Sequence, residues 1–541
     1  MSSTVFINGS IWTGVQDGVT VDALAIEGQK IIALGQAAKA LATSAGTVID
    51  LKGGMLLPAF GDGHAHPLYG GLESIGPEIK GAPTLEILLE RVRVFAIENP
   101  DKEWIVGASY ESWHAPNGEF DAAWLDAVVP DRPVVLRAND YHTIWCNSRA
   151  LEIAGVTKDT PQPPLGKIVH RADGTPMGTM REWGAVNLIM DHLPENSRNE
   201  FREGFRVATE TLAASGITWV QDAWIDPGMP ESYLDALKNN LLGVRYNLAL
   251  RADPFNWRNQ LEWFASARES IGIHSHLTCK TIKFFADGVI EGGTAALKSD
   301  YSDAPDSKGM PCWDWQELKE AVAAVDAMGF QPHIHAIGDA AIHEALNAIE
   351  YARSVNKENS HSRPVITHVQ LLDPVDLPRF ARLGVIANFE PLWACDDPLQ
   401  SELTTPRLGS ERAAWQYPIK SLLDDGAAVS FGSDWPVTTQ RPLDCLTIAI
   451  TREHASAKTP SPWIPDQRIT VEQALSAYTA GPAYQAGDEK VRGTLQLGFE
   501  ADLVWLDRDI CAIDPNLIPS ARVLGTWCLG TRVFTNTDTE N

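Results

Sequence analysis

Apolar and polar residues alternate along residues 4–35, first in Thr4-Val5-Phe6-Ile7-Asn8-Gly9 and then in Val21-Asp22-Ala23-Leu24-Ala25-Ile26. A period of two, punctuated by Asn8-Gly9 and Glu27-Gly28, predicts short strands with one solvated face. Residues 493–534 repeat the pattern in Ala501-Asp502-Leu503-Val504-Trp505-Leu506 and Leu529-Gly530-Thr531-Arg532-Val533-Phe534. The two ends are expected to complete one small β-sandwich domain in two pieces, residues 1–57 and 486–541.

Between them the period lengthens. Trp315–Met328 reads as a helix stopped by Gly329, Gln331–Ala336 as a strand, Asp339–Val355 as a helix and Val365–Val369 as a strand. The unit recurs with a helix over Leu377–Leu383 before Gly384, a strand over Val385–Phe389, a helix over Ala413–Leu423 and an apolar strand over Ala427–Gly432. Alternating strands and helices imply parallel strands covered on both faces, hence a barrel or an open doubly wound sheet. Residues 58–485 are assigned to the barrel, and 100–190, rich in Trp, Pro and Gly, to an insertion over the mouth of its first strand.

At 541 residues one large barrel with a smaller companion is the natural division. No apolar run reaches the ~18 residues of a membrane helix, and the first thirty residues lack the basic start and apolar stretch of an export signal. Seven cysteines without a Cys-x-x-Cys pair fit reduced thiols and a cytoplasmic location. A formal charge of −26 repels nucleic acid and anionic membranes. Partners are expected to be small molecules, with self-association left open.

Histidine placement changes the picture. Chance would give roughly 0.4 His-x-His pairs among 14 histidines, yet three occur: His64/His66, His274/His276 and His333/His335. Extended backbone repeats its side-chain direction every two residues, so both rings of such a pair can face one ion. The first pair follows the apolar run Met55-Leu56-Leu57, while His335, His368 and Asp434 each stand at the end of a predicted strand. That edge is where a barrel's loops assemble active sites. Imidazoles and a carboxylate suit zinc with a position left for water. His274/His276, in a polar connection, read as surface residues, and His333 as a packing neighbour of its strand.

The ordered set His64, His66, Lys283, His335, His368 and Asp434 resembles the amidohydrolase superfamily. Lys283-Phe284-Phe285-Ala286-Asp287-Gly288, His335-Ala336-Ile337-Gly338-Asp339 and Gly432-Ser433-Asp434-Trp435-Pro436 are similar to the branch that includes N-substituted formamide deformylase. Phe60-Gly61-Asp62-Gly63 departs from that family's usual lead-in to the first pair. The resemblance implies a (β/α)8 TIM-like barrel with one or two divalent ions per chain, held by those six residues. It also implies a carbamylated Lys283 bridging two metals; the alternative is a strand lysine paired with a carboxylate such as Asp287, with Glu182 supplying the extra metal ligand.

Metal would acidify water and polarise a carbonyl, with Asp434 as general base and acid and His368 the next candidate. Neither a Walker-type phosphate loop nor a Gly-x-Ser-x-Gly elbow is present. His142, Trp145, Glu182 and Trp435 are the candidate substrate contacts. Among 18 tryptophans, Trp113, Trp183, Trp224 and Trp393 also lie near predicted strand ends or in the insertion, which favours an apolar or aromatic substituent on the substrate. A non-peptide amide such as an N-substituted formamide is expected. Cyclic amides, lactones or ureas are the nearest alternatives, a deaminase is disfavoured by the strand-four lysine, and an inactive barrel retained for binding is the reading from another class.

Overall fold

The computed structural model describes residues 3–15, 19–357, 362–454 and 461–536. Eight parallel strands form the central sheet: β1 (Phe60–Ala65), β2 (Ile217–Ile225), β3 (Arg245–Arg251), β4 (Leu277–Phe285), β5 (Gln331–Ala336), β6 (Val365–His368), β7 (Ile386–Phe389) and β8 (Ala428–Phe431). They are bonded in sequence order, from β1 to β8. The strands are almost wholly buried, as expected where helices cover one side and facing side chains the other.

The ring closes where β8 runs into the first strand. The Ser433 and Asp434 amides donate to the His64 carbonyl at 3.2 and 2.7 Å. Asp62 reinforces the seam by accepting from Ser433 N at 3.0 Å, from Ser433 Oγ at 2.5 Å and from His64 N at 3.2 Å. Two glycines make the approach possible: a Cβ on Gly432 would lie 2.7 Å from His64 N, and one on Gly63 would lie 2.5 Å from Asn388 Nδ2 and Ser430 Oγ. The unusual lead-in Phe60-Gly61-Asp62-Gly63 therefore answers to close packing at the seam.

Met55–Pro58 is not the strand that carries the histidine pair; it pairs antiparallel with Leu503–Leu506 in the terminal sheet. The pair rides on β1 itself, with His64 inside the strand and His66 just beyond it. The strand-helix rhythm of 315–389 agrees closely with the structure, but 413–423 holds two helices, Thr405–Ala413 and Ile419–Asp424, parted where Tyr417 turns to φ +48° ahead of Pro418. Proline lacks the amide a continuous helix would need.

Strands from both ends do meet. Ser3–Trp12, Thr20–Glu27, Lys30–Leu34, Thr47–Asp50 and Met55–Pro58 join Leu503–Leu506, Val523–Cys528 and Thr531–Thr535 in one eight-stranded sheet. The strands follow one bonded path branching at the first of them, in place of the two separate sheets a sandwich implies. Leu529 and Gly530, expected in the last strand, form its turn at φ +50° and +72°. Within 100–190, Ile105–Tyr110, Val134–Ala138, Thr143–Cys146, Lys167–His170 and Pro176–Arg181 form a five-stranded sheet with its own apolar core. All seven cysteines are free, and no helix among the described residues is long and apolar enough to cross a membrane.

Inside the ring a belt of polar side chains fixes the register. Asn247 Nδ2 donates to Gln221 Oε1 at 2.7 Å and to Thr281 Oγ1 at 2.8 Å; Thr281 Oγ1 donates to Gln331 Oε1 at 3.1 Å. Gln331 then bonds the Gln485 carbonyl at 2.8 Å, and Gln485 Nε2 bonds the Gly63 carbonyl at 2.7 Å. A one-residue slip of any strand would strand these donors in an apolar interior.

If the seam depends on the missing Cβ, Gly432→Ala lowers stability by the overpacking cost of about 1–3 kcal/mol, read as a lower denaturant midpoint. An unchanged midpoint would show that the seam yields freely.

Candidate metal centre and cavity

The register brings the chemistry to one end of the barrel. Lys283 pairs with His333, Phe285 with His335, and Ala336 with His368. His64, Lys283 and His333 therefore lie one level below His66, His335 and His368. Lys283 Nζ is 3.3 Å from His64 Nε2 and 4.5 Å above the Phe285 ring. Asp434 Oδ1 reaches His66 Nε2 at 2.9 Å and His64 Nε2 at 3.5 Å. The His368 ring lies 4.9 Å from that of His64 and 4.6 Å from that of His335.

Each ring is oriented by a partner. His64 Nδ1 meets His333 Nε2 at 2.7 Å, which leaves His64 Nε2 facing Asp434. His368 Nδ1 is held by Glu390 at 2.8 Å, leaving Nε2 free. His335 Nε2 donates to the Gly288 carbonyl at 3.1 Å, leaving Nδ1. Asp287 accepts the amides of Ala296, Ile337 and Gly338 at 2.8, 3.0 and 2.8 Å, which pins the loops after β4 and β5. Asp287 is occupied by these amides, and Lys283 faces His64 and Phe285 instead, so the strand-lysine alternative loses its named partner.

The donors fit a divalent ion. One atom from each of His64, His66 and Asp434 falls within 4.8 Å of the others, and all three residues are buried. His66 Nδ1 is buried with no hydrogen-bond partner, an arrangement costly without a ligand. Burial, with Lys283 adding repulsion, holds His64 and His333 well below the ordinary imidazole range; burial and His368 do the same for His335. Neutral imidazoles are the form that coordinates. Burial opposes ionisation of Asp434, but hydrogen bonds from His64 and His66 hold it well below the usual carboxylate range. Burial also brings Lys283 down to about 7, against the pull of Asp434, Glu390 and Asp222.

The site is strained as well as desolvated. His368, Val369, Asp434, Glu182 and Tyr141 have φ of +74°, +42°, +51°, +58° and +61°. Left-handed backbone costs about 1–3 kcal/mol at such residues and persists where surroundings impose it.

From the insertion, His142 enters the same cavity. Its Nδ1 is 2.9 Å from Glu182 Oε2, and Glu182 Oε1 accepts from Thr294 Oγ1 at 2.5 Å. Burial lowers the His142 pKa, but Glu182 outweighs it and raises the net value. Glu182 thus serves His142 and is spoken for twice over, which removes it as a spare metal ligand. The cavity, about 180 Å³, is also walled by Trp113, Trp224, Phe285 and Trp393; Trp393 stacks on His368 at 5.3 Å.

Two expected contacts lie elsewhere. Trp145 is fully buried in the insertion's core against Tyr110 and Phe120, its Nε1 bonded to the Asp121 carbonyl at 3.0 Å. Its strand position faces inward, away from the mouth. Trp435 packs behind the site on Gly70, where a Cβ would lie 2.7 Å from the indole. Its carbonyl, accepting from His66 N at 2.7 Å, is what touches the centre. His274 is exposed and His276 half-buried, both away from the cavity. Glu390 was not anticipated. Its signal was only an acidic residue directly after an apolar strand, the same signal that singled out Asp434.

Residues 47–534 match the model of the amidohydrolase family. The chain is 29% identical to the protein LONG AFTER FAR-RED 3 of Arabidopsis thaliana, over 97% of this chain and 91% of that one. It is 25% identical to N-substituted formamide deformylase of Arthrobacter pascens, over 98% of each. An uncharacterized metal-dependent hydrolase from Pyrococcus horikoshii superposes with a TM-score of 0.75 at 25% identity, over 95% of this chain and 99% of that one.

His333 holds the His64 ring without facing the cavity, so His333→Phe keeps the packing and removes the acceptor. Metal affinity measured by competition with a chelator is expected to fall about 10–100-fold; unchanged affinity would reduce His333 to filler.

Proposed function

The chain belongs to the amidohydrolase family, and from that premise we propose that this metal-dependent hydrolase of carbon–nitrogen bonds acts on a neutral non-peptide amide, the class of an N-substituted formamide. The observation that carries the reading is the convergence of His64, His66, Lys283, His335, His368 and Asp434 on one cavity at the C-terminal edge of a parallel barrel. We assign one divalent ion to His64, His66 and Asp434 and a second to His335 and His368. Nitrogen and carboxylate donors favour zinc in both.

Lys283, between the two groups, would help to hold the ions as its carbamate. A buried amine brought to about 7 presents a neutral nitrogen at physiological pH. Addition of the neutral amine to carbon dioxide forms the N–C bond and releases one proton, leaving a carboxylate in place of the amine.

An ion held there supplies an acidified water and a polarised carbonyl. Asp434, kept ionised by His64 and His66, accepts the proton of the attacking water and returns it to the leaving nitrogen. His142, braced by Glu182, points into the same cavity and is placed to hydrogen-bond the acyl oxygen or leaving group. Trp224, Phe285 and Trp393 exclude water and offer aromatic faces to an apolar substituent. An inactive binding barrel gives no reason to retain neutral histidines, an unpartnered buried His66 nitrogen and five left-handed residues together. The substrate is a small molecule, and seven unpaired thiols support a reducing, cytoplasmic setting.

With metal-replete protein, kcat/KM for N-benzylformamide should exceed that for an N-acyl amino acid and for a cyclic imide by about tenfold, roughly 1.4 kcal/mol of discrimination. Asp434→Asn should lower turnover at least about a hundredfold. A tenfold preference for either competitor would reject the formamide class, and near-wild-type turnover would move the base elsewhere.

Carbon-13-labelled bicarbonate should give a carbamate resonance in the metal-loaded protein that Lys283→Ala abolishes. Absence of that resonance from the wild type would rule out the carbamate.

A further inference from the structure

The catalytic cavity has a far wall that the hydrolytic chemistry does not use. Its charged lining consists of Asp140, Glu291, Asp397 and Asp434 against a single Lys or Arg among the described residues, Lys283, which stands among the metal-site histidines. The loop after β7 contributes a π-helical turn over Gln400–Thr404, a form found mostly as single turns at functional sites. It places Gln400 and Thr404 on the cavity wall, 4% and 0% exposed. Gln400 Oε1 and Thr404 Oγ1 are both buried without a hydrogen-bond partner. An unpartnered buried acceptor costs free energy until a donor arrives.

Glu291 follows β4 in Glu291-Gly292-Gly293, lines the same cavity and is half-buried. Its carboxylate bonds its own backbone amide; burial, aided by the nearby Asp140 and opposed by that bond, His142 and Arg407, pushes it up to about 7. Asp140 is already occupied, accepting the amides of His142 and Thr143 at 2.8 and 2.9 Å. The unpartnered atoms are therefore an amide oxygen and a hydroxyl oxygen, on the same cavity as the Glu291 carboxylate and the aromatic faces of Trp113 and Trp393. This combination is complementary to a cation bearing several N–H donors and repels an anion.

We propose that the preferred substrate carries a primary ammonium group on its nitrogen substituent, recognised by Glu291, Gln400 and Thr404 on the far wall. The inference rests on the amide-hydrolase reading for the placement of the scissile bond, and it adds the polarity of the opposite end. The apolar segment expected from the tryptophans then acts as the spacer between the two.

Three formamides that differ at one ring position test it: N-(4-methylbenzyl)formamide, its 4-aminomethyl analogue and its 4-carboxylate analogue. Calorimetry with metal-loaded Asp434→Asn protein reads binding without turnover, and kcat/KM is read on the wild type. The aminomethyl compound is expected to bind at least about tenfold more tightly than the methyl compound, with the carboxylate weakest. Glu291→Gln should cut that ratio to below about threefold; Gln400→Leu and Thr404→Val should each reduce it, and they keep the test decisive if Glu291→Gln does not fold. Equal binding, no measurable binding, a preference for the methyl or carboxylate compound, or a ratio untouched by all three substitutions overturns the proposal. The binding order without any wild-type turnover would reject the formamide reading and leave the ammonium site standing.

Discussion

The contact on which the rest depends is a backbone one, the Asp434 amide donating to the His64 carbonyl at 2.7 Å. It joins the last strand to the first and so closes the ring. By the same bond it sets the carboxylate of Asp434 beside the imidazoles of His64 and His66, which belong to the opposite end of the sheet in chain order. Closure and ligand assembly are one event. Asp62 and Ser433 enforce it, and the absent side chains of Gly63 and Gly432 permit it.

Such a closure concentrates ionisable groups where water cannot screen them. Burial favours the neutral form of each, and this is visible in the depressed histidines, in a lysine brought to about 7 and in the Asp62 carboxyl raised to about 7. Asp434 escapes because two imidazoles face it. The centre is thus poised to exchange protons or accept cations, since either relieves a desolvation cost that packing alone leaves in place. The belt of Gln221, Asn247, Thr281 and Gln331 below it shows the opposite solution, polar groups pairing with one another. Rigid support beneath and unsatisfied donors above are what a binding site on a stable scaffold requires.

Elements outside the ring complete the cavity. The insertion delivers His142 with Glu182 behind it, and Thr294, from the loop after β4, ties that pair to the barrel. The loop after β7 supplies Trp393 and the π-helical turn. Barrel strands carry the histidines and the lysine of the centre, whereas loops and the insertion supply the outer walls of the cavity. This division lets one chemistry accept many substrates by loop variation.

Period-two placement of His64 with His66, and of His333 with His335, determined that each pair shares a face, because an extended chain returns its side chains to one side at every second residue. Strand ends at His368 and Asp434 were legible for the same local reason, as were the helices over 315–355. Long-range pairing decided the rest. Nothing local distinguishes Trp145, sealed in the insertion's core, from Trp224, which lines the cavity; both stand inside buried strands, and only their packing partners differ. Met55–Pro58 and Phe60–Ala65 are neighbours in sequence but enter different sheets, a choice made by the strands they meet. Glu390 carries no spacing signal, and its importance arises because β7 lies beside β6 and its carboxylate reaches His368. Sequence periodicity determines which way a side chain points, whereas strand order and register, which join residues hundreds of positions apart, decide what it meets.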